Sequence, residues 1–282
     1  MHSWETFEPR RSYIRVVQSV IPGQFQKGDY AFRGYPHMTS TASEAGFAPA
    51  PMGLVARFIG IITSPKDTFA RIVASPKWFG MMALTAIIVS IFSALPTTTE
   101  AGRQAFLDQQ VQQRQSLGLP PLDDQQYAQM EKMAKITPYI TGVGVIVVTP
   151  IIVVIICGIL FAIFNAALGG EASFKQMLAV VVHAGIISTL GAMISGIVNY
   201  FRGAVGSVGN LGALLPMLPE KSFLANLLGT VDIFIVWWLF VLAIGLGVLY
   251  RRRTQPIAMS LMAVYAVIAL VVALVKSRVG GA

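Results

Sequence analysis

Residues 136–170 read ITPYITGVGVIVVTPIIVVIICGILFAIFNAALGG, lie between Lys135 and Glu171, and carry no charge. At about 1.5 Å per residue this stretch would make roughly 52 Å of helix, well beyond the roughly 30 Å hydrocarbon core of a bilayer. Two full passes joined by a turn would not fit within it. Pro138 and Pro150 instead favour one tilted or kinked pass with an overhanging end, so the stretch counts as a single span, 139–168.

Working outward, the same pattern recurs between Lys77 and Glu100, Lys175 and Arg202, Lys221 and Arg251, and Arg253 and Lys276. A crossing needs roughly 20 apolar residues, and each stretch supplies them. The single acid among them, Asp232, sits where the fourth helix would begin. The expected fold is an all-α polytopic membrane protein with a five-span domain over 78–276. Its spans lie near 78–96, 139–168, 176–201, 232–250 and 256–275. Composition agrees: the chain is 55% hydrophobic and 12% charged, where soluble domains are about 25% charged. The net charge of +8 is spread over segment ends and the N-terminal arm. That distribution orients helices in a bilayer and is no footprint for nucleic acid. Cys157 is the one cysteine, which excludes an intrachain disulfide and a thiolate metal cluster.

Residues 1–51 are rich in Gly, Pro, Ser and Thr without a sustained apolar period, and read as a disordered cytosolic arm. Over 52–77, Leu54, Val55, Phe58, Ile59 and Ile62 recur at helical spacing with Arg57 off that face, and Phe69, Ile72 and Val73 form a second apolar face. Ser64-Pro65-Lys66-Asp67 has the form of a helix start, with a capping serine, proline in the first turn and an acid facing the free amides. These are two short amphipathic helices, expected either to lie on the membrane surface or to pack on other helices of the same chain. Lys77 and Trp78 then anchor the first span at the interface. A glutamine-rich polar loop, 97–135, reads as a helical hairpin broken at Pro120-Pro121. Gly169-Gly170 ends the second span, and Ser173-Phe174-Lys175-Gln176 supplies a capping box for the third.

Polar residues inside the apolar stretches are the candidate functional or packing positions. Ser188, Ala192, Ser195 and Asn199 form a small, polar stripe that lets a neighbouring helix approach and offers interhelical hydrogen bonds. His183, Asn165 and Asp232 are the other candidates. An intramembrane histidine can relay protons or bind metal, but His183 has no second His, Asp or Cys at ligand spacing and equally suits a packing role. Catalytic patterns are absent: Met193 stands where a Gly-x-Ser-Gly protease motif needs glycine, paired intramembrane glutamates are missing, and the other histidines, His2 and His37, lie in the arm. No enzyme activity, cofactor or metal is expected. The glycines at 203, 206, 209 and 212 follow no strand and precede no Gly-Lys-Ser/Thr, so they form no phosphate loop. A mobile apolar loop at the membrane surface is expected there.

Arg251, Arg252 and Arg253 are the strongest basic cluster at any span end, so the loop between spans four and five is expected in the cytoplasm. Parity then puts the N-terminus there and the polar loop and C-terminus on the opposite side.

Ile61-Ile62-Thr63-Ser64-Pro65-Lys66-Asp67-Thr68-Phe69 followed by Ser75-Pro76-Lys77-Trp78 resembles the start of the membrane region in prokaryotic members of the Yip-one (Ypt-interacting protein) domain family. Gly169-Gly170-Glu171-Ala172-Ser173-Phe174-Lys175-Gln176 and Asp232-Ile233-Phe234 before Trp237-Trp238 carry the same resemblance, which covers roughly 52–275 and the five-span count. It implies a five-helix membrane domain with a cytosolic N-terminus. For eukaryotic relatives it also implies Rab-type GTPase binding in vesicle traffic. The Asp-Leu-Tyr-Gly-Pro run of those relatives is missing here. Two functional expectations follow. One is a non-enzymatic membrane organiser or adaptor that binds membrane or cytosolic protein partners, or shapes the bilayer, in the cell or inner membrane of a prokaryote. The other is a small transporter or channel working as a homo-oligomer. Transport would call on His183, Asn165, Pro150 and Asp232, but no internal repeat is visible.

Overall fold

The computed structural model describes residues 52–116, 118–214 and 222–279, and every regular element among them is helical. The N-terminal arm, 1–51, lies outside the described residues. The long uncharged stretch is one element: helix α6, Thr137–Phe161, runs straight into a turn of π-helix, Ala162–Ala167, with Pro150 inside it. A π turn inserts a residue into the ladder, and here it closes the helix just before Gly169, whose φ is +66°.

Before α6 come α1 (Leu54–Thr63), α2 (Pro65–Ala74), α3 (Phe79–Ala94, continued by a 3-10 turn Leu95–Thr98), α4 (Glu100–Ser116) and α5 (Asp124–Ala134). After it come α7 (Phe174–Ala184), α8 (Ile186–Arg202), a 3-10 turn Leu211–Leu214, α9 (Phe223–Thr230), α10 (Ile233–Leu249) and α11 (Thr254–Val279). Local chemistry explains several boundaries. Ser173 and Gln176 form the reciprocal capping box at the start of α7, and Asp123 and Gln126 form another at α5. Each satisfies two otherwise orphan amides. At α2, Pro65 and Asp67 occupy the first turn as expected, but the Ser64 side chain makes no capping bond.

Among the described residues, four helices are long and apolar enough to cross a bilayer: Phe79–Thr98, Thr137–Ala166, Phe174–Arg202 and Thr254–Arg278. The remaining expected span corresponds to the shorter apolar helix Ile233–Leu249. Within the bundle α7 and α8 are central, joined through Gly185 with only a slight break. In the best apolar window of Phe174–Arg202, 67% of residues are buried, against 11% for Thr137–Ala166. Helices α3, α6 and α10 surround that centre, and α11 packs outside on α10 and α9.

The outer helices present bare hydrocarbon. On α6, Tyr139, Val143, Val147, Ile151, Ile155 and Ile159 are exposed, and on α11 so are Met259, Val264, Val267, Val271 and Val275. Apolar patches of this extent are not left facing water. Their natural neighbour is lipid.

Gly196 and Gly245 each permit a close helix approach. A Cβ on Gly196 of α8 would fall 2.3 Å from the carbonyl oxygen of Phe92 on α3. One on Gly245 of α10 would fall 2.7 Å from Val180 of α7 and 3.0 Å from the Phe69 ring of α2. The second contact brings the short N-terminal helices onto the bundle. Ile61, Phe69 and Ile72 are buried in the main core, and the Gln176 side-chain amide donates to the Val73 carbonyl at 3.3 Å. Leu54, Val55 and Ile59 stay exposed. These helices therefore pack on their own chain through one face and present another outward. Arg57, expected off the apolar face, is buried because its Nε donates to the Met52 carbonyl at 2.9 Å and its Nη1 to the Lys77 carbonyl at 3.0 Å. A guanidinium can be enclosed when its donors meet acceptors.

Candidate functional site

At the end of the bundle where α8 leaves the core and α10 begins, residues far apart in sequence converge. A cleft of about 340 Å³ is lined by Ser188, Ala192, Ser195 and Asn199 of α8, Phe92 of α3, Gly206 and Ser207 of the following loop, and Asp232 and Phe234. The expected small, polar stripe and the isolated acid thus belong to one place.

Asp232 caps α10: its Oδ1 accepts from the Phe234 amide at 2.7 Å and the Ile235 amide at 3.3 Å. Its other oxygen accepts from the Ser207 hydroxyl, whose oxygen in turn accepts from the Gly209 amide at 3.2 Å. The Asp232 amide donates to the Tyr265 hydroxyl at 3.1 Å, and that hydroxyl donates to the Thr230 carbonyl at 3.1 Å, tying in α11. Asn210 and Asp232 form an isolated antiparallel bridge, with Ile233 donating to the Gly209 carbonyl at 3.0 Å. Ser195 accepts from the Val208 amide at 3.2 Å, and Asn199 donates to the Gly206 carbonyl at 2.6 Å.

Two sequence expectations change here. The stripe bonds to loop backbone rather than across two helices, and Gly196, beside it, provides the close helix approach. The glycine-rich segment, through Asn210, is bonded down onto α8 and α10. Its continuation, 215–221, lies outside the described residues.

The other polar candidates sit elsewhere. Asn165 is at the opposite end, where its Nδ2 donates to the Ala172 carbonyl at 2.7 Å and its Oδ1 accepts from the Tyr250 hydroxyl at 2.5 Å. The Tyr250 ring stacks on Phe164 with centroids 4.9 Å apart, closing the second and fourth apolar segments onto one another. His183 is fully buried in the centre, with Nδ1 2.7 Å from the Ala179 carbonyl and Nε2 without a protein partner. It does not line the cleft. Among the described residues no group of three or more His, Cys, Asp or Glu side chains could hold a metal ion.

The anchors Lys77, Trp78, Arg251, Arg252 and Arg253 all lie toward the Asn165 end. Trp78 packs against the core while Lys77 and the arginines are exposed. Tyr250, the residue that organises this end, is missing from the sequence expectations; its signal was its place between an apolar run and three arginines.

The polar hairpin α4–α5 projects from the other end, meeting the 3-10 turn after α3, the start of α6 and part of α8. Arg103 pairs with Glu100 along its first helix, and Gln104 donates to Tyr127 across the hairpin at 3.4 Å.

A family model described as the Yip1 domain matches residues 59–275. The membrane protein YknW of Bacillus subtilis (strain 168) is 28% identical over 224 residues, covering 78% of this chain and 91% of that protein. No solved structure matches.

Proposed function

The chain belongs to the Yip1 domain family of membrane proteins, and from that premise we propose that it is a non-enzymatic organiser or adaptor of the bilayer. In this reading all five apolar segments cross. Helix α10, at 17 residues, would make only about 25 Å. It packs against α2, α7, α8 and α11, so its ends are sheltered by protein and need not match the lipid thickness. The N-terminus and the arginine turn face the cytoplasm, and the α4–α5 hairpin and C-terminus face the other side. The hairpin is the partner-binding surface, and the exposed residues of α1 are a second contact with lipid or protein.

The observation that carries this reading is that four polar side chains of the apolar segments are committed to their own chain. Asp232, Ser195, Asn199 and Asn165 each hold backbone groups of adjoining segments, which is the work of a scaffold. A second reading, a small transporter or channel acting as an oligomer, draws on the 340 Å³ cleft with its carboxylate.

Liposome flux and site-specific crosslinking separate the two. A photo-crosslinker at Gln112 or Gln125 on the hairpin is expected to capture a defined partner from native membranes, with capture lost on Glu131→Lys/Asp124→Lys, and reconstituted protein is expected to pass no ions or solutes. Flux that disappears in Asp232→Asn would reverse the assignment.

A further inference from the structure

The three arginines do more than mark the end of a helix. Helix α10 stops at Leu249 and α11 starts at Thr254, so Tyr250–Arg253 must reverse the chain within one tight turn. Backbone bonds hold that turn: Tyr250 donates to the Leu246 carbonyl at 2.9 Å and Arg252 to the Gly247 carbonyl at 2.9 Å. Arg251 adopts φ +52°, the left-handed region that a side chain other than Gly, Asn or Asp enters at a cost. The turn therefore fans three consecutive cations around a fixed bend.

Facing it is the first turn of α2. Lys66 and Asp67, with Arg251, Arg252, Arg253 and Thr254, line a groove of about 430 Å³. Four bases meet one acid there, and among the described residues none of the four lies in an ion pair. The groove also receives the N-terminal end of α11, a 26-residue helix, whose free amides favour an anion.

We propose that this groove binds the phosphate of an anionic phospholipid headgroup. A lipid fits better than a free anion because of what adjoins the cations. The groove opens where two apolar segments end, the depth at which headgroups sit. From Arg253 the exposed side of α11 continues through Met259, Val264 and Val267, an apolar track along which acyl chains would lie. The sequence separation between Lys66 and Arg251 explains why no local motif announces the site. The proposal is independent of any protein partner at the hairpin.

The test uses the full chain in detergent, with thermal unfolding and native mass spectrometry as readouts. Phosphatidylglycerol is expected to stabilise the protein and to be retained in preference to phosphatidylcholine. Each arginine removed should weaken that preference about fivefold, following the roughly 1 kcal/mol per base typical of anionic membrane surfaces. Arg251→Gly is the decisive variant, since glycine suits the left-handed backbone and loss of lipid cannot then be ascribed to misfolding. Asp67→Asn should strengthen retention. Lys132→Gln/Lys135→Gln, removing charge on the hairpin, should leave it unchanged. Equal retention of the two lipids, preference surviving in Arg251→Gly/Arg253→Gln, or inorganic phosphate stabilising as well as the lipid would each overturn the proposal.

Discussion

His183 is the histidine buried at the centre of the bundle. Its Nδ1 is satisfied by the Ala179 carbonyl one turn earlier, and its Nε2 is enclosed without a protein partner. A buried acceptor left unpaired costs about 1–3 kcal/mol. Replacing it with an apolar side chain of similar volume removes that cost at the loss of one bond. His183→Leu is therefore expected to leave thermal stability in detergent within about 1 kcal/mol of the parent, or above it. A loss several-fold larger would mean that Nε2 has a partner on which the fold depends. Asp232 differs in kind. It was legible from its sequence position at the start of an apolar run, and the structure gives it two backbone amides and a serine to hold.

Among the elements, glycine contacts separate helix faces that press on a neighbour from faces that look outward. Gly196 has the Phe92 backbone against it, whereas a Cβ on Gly158 of α6 would meet nothing within 4 Å. Gly196→Ala should thus destabilise by about 1–3 kcal/mol through forced displacement of α3. Gly158→Ala should be neutral or stabilising by up to about 1 kcal/mol, because alanine is the better helix former. Denaturation in mixed micelles would compare them, and equal effects would contradict the packing described. Sequence periodicity identified α1 and α2 as amphipathic but left their partner open. The deciding group, Gly245 on α10, lies far along the chain from Phe69, where no local pattern can report it.

For the whole molecule, the decisive question is whether α10 crosses. In a Cys157→Ser background, single cysteines at Ser64 and Arg253 should react with an impermeant maleimide from one side of sealed vesicles, and those at Gln112 and Ser277 from the other. Ser277 labelling together with Ser64 would leave four crossings and remove the proposed topology. The cleft and the groove lie at opposite ends of the bundle, so a partner at the hairpin and a lipid at the arginines could be held at once.

The membrane solvent, the helices and several of their ends were legible in local stretches of the chain. Hydrophobicity summed over a span, a proline in a first turn and a serine three residues before a glutamine are local quantities, and local free energies decide them. Which polar groups meet was decided only in three dimensions. Asn165 finds Tyr250 across 85 residues, Ser195 finds the backbone of Val208, and Lys66 comes to face Arg251. Those meetings depend on how five apolar segments pack against one another. In lipid that is governed by shape and close approach rather than by hydrophobicity, and the contacting surfaces of a bundle are not written in any one of its helices.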